Sequence, residues 1–142
     1  MKRFTGIAIT VAIIGCTGIT LASNWATFDT VMEGNCTTVI RMDTASWTHS
    51  GHMVTAWDSD RSGPTKAACP GYEYKEMRSL VTYDCQNRTS KLLEGWSESW
   101  GGKFKSYTFT YEETPWVQIV PDTAGDTEFE FACSHNPDRD MP

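Results

Sequence analysis

The chain has 142 residues with 18 acidic and 12 basic side chains, a net charge of −6 that becomes −8 once Lys2 and Arg3 are set aside. So acidic a balance argues against nucleic acid, heparin-like polymers or an electrostatic membrane surface as the main partner, although it leaves room for a local basic patch.

The chain opens with Met1, Lys2 and Arg3, and an apolar run then begins at Phe4 and is densest at Ile13 and Ile14. A basic start leading into an apolar stretch is the layout of a secretory signal. The tetrapeptide Ile13-Ile14-Gly15-Cys16 resembles a bacterial lipobox, which makes Cys16 the expected site of lipidation and the new N-terminus. A plain cleavage site near Thr20-Leu21-Ala22 is the alternative. A retained span is the third reading, because the stretch approaches spanning length but is diluted by glycines and threonines. Without this leader about 120 residues remain, enough for one domain with a modest core.

Five cysteines are present, and setting Cys16 aside leaves Cys36, Cys69, Cys85 and Cys133. An even remainder in an exported chain reads as two disulfides with three possible connectivities. No C-x-x-C pair is available for a structural metal.

Residues 24–30, with Trp25 and Phe28, read as a first strand, and the β-branched segment TTVIRM at 37–42 reads as a second. Asp43 to Ser46 supply turn chemistry, and Ser50-Gly51 turns the chain into a strand over 52–57. The polar stretch 58–71, with Gly63-Pro64 and Pro70-Gly71, is expected to be a long loop. Next comes the clearest period-two signal: Met77, Val81, Tyr83 and Cys85 fall on one face, and Arg78, Thr82 and Asp84 on the other. Gln86-Asn87 makes a hairpin turn into RTSKLLEGWSESW, and Gly101-Gly102 makes another. A last strand is expected over 103–111, with Tyr107, Phe109 and Tyr111 on one face. Residues 122–133 are ambiguous: Asp122 or Thr123 could cap a helix, yet TEFEFAC alternates like a strand. The tail from Ser134 to Pro142 is polar and expected to fray.

Taken in order, Trp25, MDTASW at 42–47, the Gly51 turn, VTAW at 54–57, RSLVTYDC at 78–85, Trp116, Pro121 and FAC at 131–133 resemble the surface-adhesin protein E family. The resemblance spans residues 24–134, with 135–142 as a flexible tail. It implies an α+β, mainly β fold: a single antiparallel sheet with a short C-terminal helix over about 121–133, exported and often lipid-anchored. It also implies a Cys85–Cys133 disulfide, which leaves Cys36 to pair with Cys69.

In the named member of that family the ligand-binding segment is basic and exposed. Here Arg61 and Lys66 sit among Asp58, Asp60 and Glu73, so those two cations are retained only as weak binding candidates. Trp96, Glu98 and Trp100 share a face if extended, and Trp96 and Trp100 are candidates for a protein contact, with core packing as the competing role. His49 and His52 flank a turn and read as solvated side chains, and His135 lies in the tail. No catalytic signature, metal site or cofactor is indicated. Two functional readings follow. One is a lipid-anchored outer-membrane module that binds a protein, a host matrix or serum protein by family resemblance. The other is a periplasmic envelope factor such as an inhibitor of a wall-degrading enzyme. An exposed sheet edge would also permit a homodimer.

Overall fold

The computed structural model describes residues 22–108 and 112–136. The proposed leader, with Cys16 and the cleavage site up to Leu21, lies outside the described residues, as do Phe109, Tyr111 and the tail from 137 onward.

Among the described residues the sheet comprises eight strands: β1 (Trp25–Glu33), β2 (Cys36–Asp43), β3 (Thr48–Ser50), β4 (Met53–Gly63), β5 (Tyr74–Asp84), β6 (Thr89–Ser99), β7 (Phe104–Thr108) and β8 (Val117–Gln118). Every pairing is antiparallel, along the path β1-β2-β4-β5-β6-β7. The short β3 continues the β2 side of β4, and β8 pairs with the far end of β6. The helix α1 (Ala124–Ser134) packs on one face, called inner below.

Tight turns join β1 to β2, β3 to β4 and β6 to β7, and each uses a residue that tolerates positive φ. Gly34, Gly51 and Gly102 all take that conformation. The Asp43 turn is pinned by side chains: Asp43 Oδ1 accepts from the backbone N–H groups of Asn24 and Ala45, and the Ser46 hydroxyl donates to the Asp43 carbonyl while accepting from the Trp57 N–H. The aspartate and the serine three residues on therefore lock β1, β2 and β4 together at one end.

The expectation of a loop over 58–71 is corrected. β4 continues through Asp58 to Gly63, paired with β2 throughout and with β5 as far as Arg61, and the connection to β5 begins only at Pro64. The polar residues misled because alternation in a strand sends them to opposite faces. Thr38 and Ser62 share a hydrogen bond across β2 and β4 on the inner face, whereas Ser59 bonds Arg41 and Glu76 on the other.

The 122–133 ambiguity resolves as the helix. Thr123 is its N-cap, accepting from the Asp126 N–H, and Asp126 reaches back to accept from the Asp122 N–H. Phe129, Ala132 and Cys133 share the spacing of one helical stripe and are fully buried against Met42, Val54, Ala56, Tyr83 and Cys85. Phe131 lies beside that stripe and stacks on Phe28. Burial and the disulfide thus override the strand-like alternation of TEFEFAC.

Both disulfides form. Cys85–Cys133 staples α1 to the end of β5, and Cys36–Cys69 ties the 64–73 loop to the start of β2. Arg88, in the β5–β6 turn, adds ion pairs from β-sheet to helix through Glu130, at 2.7 Å, and Asp126.

Candidate functional site

Among the described residues the outer face carries no helix, and its middle is crossed by a ladder of rings and cations. Cross-strand register sets it up: Thr27 opposes Arg41, Arg41 opposes Ser59, Ser59 opposes Arg78, Arg78 opposes Trp96, and Trp96 opposes Ser106. Directly opposed residues in antiparallel strands share a face. The Arg41 guanidinium lies 5.2 Å from the centre of the Trp25 ring. The Arg78 guanidinium lies 5.3 Å from Trp25 and 4.8 Å from Trp96. Trp96 in turn stacks on Phe104 at 5.2 Å, and Phe104 is 63 % exposed. Each such cation–π contact contributes about 0.5–1 kcal/mol when exposed.

Beneath the ladder sits Glu76, almost fully buried, with its Oε1 accepting from Arg78 Nε at 2.7 Å, Arg41 Nη2 at 3.1 Å and the Ser59 hydroxyl at 3.1 Å. Burial alone would push its carboxyl up, but the Arg78 bond and charge, the Ser59 hydroxyl and the Arg41 charge hold it below the ordinary range. Glu76 is therefore the anchor that fixes both guanidiniums. At the far end of this face Trp116 lies over Lys91, which is itself buried.

The inner face holds a different constellation. A cavity of about 180 Å³ between the sheet and α1 is lined by Asp58, Asp60 and Glu128 together with Tyr83. The fully buried Tyr83 hydroxyl donates to Asp58 Oδ2 at 3.1 Å. Burial and the neighbouring Asp60 charge push Asp58 up to about 7. Burial, then Asp58 and Asp60, push Glu128 up to about 8. Burial raises Asp60 as well, although its side chain is exposed at the rim. No group of three or more metal-ligating side chains with suitable geometry occurs among the described residues.

The sequence candidates fall in several places. Trp96 is in the ladder. Trp100 lies past the end of β6, where its indole N–H donates to the Tyr72 carbonyl at 3.0 Å and so ties the β6–β7 turn to the start of β5. Arg61 is exposed and opposes Glu76 on the outer face. Its sequence neighbours Asp58 and Asp60 point into the inner cavity, so these acids do not screen it as the linear sequence suggested. Lys66 is committed to its own loop, donating to the carbonyls of Pro70 and Tyr72. His52 lies 3.6 Å from Asp84, and His135 packs against Trp47 and Phe131. Trp25, Arg41, Glu76, Arg78 and Phe104 are the residues that sequence reading missed as a site. The only local hint was the alternation that put Arg78 opposite the core face of β5.

Among known proteins, the model of the family described as Surface-adhesin protein E matches residues 28–134. No curated protein matches the chain.

Proposed function

The chain belongs to the surface-adhesin protein E family, and from that membership we propose that it is an exported, lipid-anchored surface module that binds a protein partner through the outer face of its sheet. The observation that carries the face is the ladder Arg41–Trp25–Arg78–Trp96–Phe104 on the side of the sheet opposite α1. Tryptophan, tyrosine and arginine are the side chains that concentrate binding energy in protein interfaces. Here they are held rigid by one another and by Glu76 in the free domain, which lowers the ordering cost of association. By family resemblance the partner is a host matrix or serum protein. Cys16 provides the tether, with the acyl group holding the domain at the outer membrane.

Protease shaving of intact cells, read with the intact mass of protein extracted from membranes, tests the location and the anchor. Removal of the domain by protease, and an acyl mass on a chain that starts at Cys16 and is absent from Cys16→Ala, is the expected result. A domain spared on intact cells, or an unlipidated chain starting near Ser23, contradicts the surface tether and favours the periplasmic envelope role.

A further inference from the structure

Arg41 and Arg78 share the single carboxylate of Glu76. Arg61 stands opposite Glu76 on the same face, exposed and, among the described residues, outside any ion pair. Of the other acids on this face, Glu98 opposes Glu76 and is paired with Lys75 at 3.1 Å, Asp43 accepts from the Asn24 and Ala45 N–H groups, and Glu94 opposes Leu80, so Arg61 and the outer nitrogens of Arg78 are left without a carboxylate among the described residues.

Arg78 is also constrained in a way that a surface arginine usually is not. Its guanidinium lies within 5.3 Å of the Trp25 ring and 4.8 Å of the Trp96 ring, and its Nε is committed to Glu76. The two terminal nitrogens make no hydrogen bond among the described residues, and the side chain remains 39 % exposed. A guanidinium held by two rings and one carboxylate offers its remaining parallel N–H donors to a carboxylate's two oxygens, with less side-chain entropy left to lose. The two indoles are already engaged, Trp25 by Arg41 and Arg78 and Trp96 by Arg78 and Phe104. The strip's open chemistry is thus charged hydrogen-bond donors rather than bare ring faces on which a sugar would stack.

We infer that Trp25, Arg78 and Trp96 form a slot for a carboxylate, and that with Arg61 beside it the slot takes an aspartate or glutamate side chain from an acidic peptide segment of the partner. The inference rests on the outer face being the binding face, and it specifies what that face recognises.

The test uses the intact protein extracted from membranes in a neutral detergent, with its tryptophans labelled with nitrogen-15. Indole N–H resonances are followed by NMR during titration with an end-capped hexaglutamate peptide, and separately with hexaglutamine and with a sulfated oligosaccharide. Saturable shifts of the Trp25 and Trp96 indoles with hexaglutamate, and none with hexaglutamine, are expected. Arg78→Met keeps a chain of similar length between the rings but removes the charge, and should weaken hexaglutamate binding by about tenfold. Arg61→Gln alters only an exposed side chain and should weaken it by a smaller factor, which keeps the test decisive if Arg78→Met fails to fold. Equal shifts with hexaglutamine, unchanged affinity in folded Arg78→Met or in Arg61→Gln, or tighter binding of the oligosaccharide at the same indoles would each overturn the slot. A matrix or serum protein that is lost on Trp25→Ser/Trp96→Ser but kept by folded Arg78→Met would remove the slot and leave the binding face standing. One kept by both would remove the binding face.

Discussion

The inner acid cavity makes the fold's stability depend on pH in an unusual direction. Asp58 moves from 3.8 in the unfolded chain to about 7 in the folded one, a shift of about 3 units or about 4 kcal/mol at about 1.4 kcal/mol per unit. Because the folded value is the higher one, the native state holds a proton that the unfolded state has already released. Stability is therefore greatest on the acid side of this window and declines as pH rises from about 4 to about 7, then levels off. Glu128 follows the same sign, to about 8. The two contributions overlap because the Asp58 charge is part of what raises Glu128, and Asp60 raises both, so the cluster rather than either residue sets the profile. About 3 kcal/mol should be lost between about pH 5 and about pH 8. Urea unfolding at constant ionic strength measures it directly. Asp58→Asn keeps an oxygen to accept from Tyr83, removes one titration and relieves the part of the Glu128 shift that comes from the Asp58 charge, so it should make the slope shallower. A wild-type profile that is level or rising over that window, or an Asp58→Asn profile as steep as wild type, would refute the reasoning.

The covalent staple and one glycine give further expectations. Replacing Cys85 and Cys133 together by serine opens a loop with a sequence separation of 48 and should cost about 4 kcal/mol in the chain-entropy treatment. Calorimetry reads the cost, and hydrogen exchange should place the loosening in α1. A variant that melts with wild type would contradict that role. Gly95 has no side chain because the Tyr107 ring occupies the place where a Cβ would stand. Gly95→Ala should therefore displace the ring and destabilise by about 1–3 kcal/mol, and faster amide exchange in β7 should accompany the loss. Unchanged stability and exchange would mean that the ring yields freely.

Much of the sheet was legible because its central strands alternate. From Met77 to Cys85 every second side chain lies on the helix-bearing face, and the hydrophobic pattern of the sequence is enough to show it. The end of β4 was not legible, since DSDRSG has turn composition, and its strand character comes from pairing with β2 and β5 on either side. Helix α1 was hidden for the converse reason: a period-two pattern in TEFEFAC yields to the burial of Phe129 and the Cys85–Cys133 bond. Resemblance to a family supplied what the local pattern lacked there. The outer-face ladder draws on Trp25, Arg41, Arg78, Trp96 and Phe104, which lie on five different strands. Only the register brings them together, so no window of sequence could display the site. The sequence also placed Arg61 among acids that alternation sends to the opposite face.

The most direct test of the binding face is the capture of immobilised matrix and serum proteins by the intact protein, measured in parallel for wild type, Trp25→Ser/Trp96→Ser and Asp58→Asn. Binding by wild type and by the inner-face variant, with loss in the outer-face variant whose circular dichroism and Tm show a folded domain, is the expected result. Equal binding by all three, or loss confined to Asp58→Asn, would contradict the assignment of the outer face.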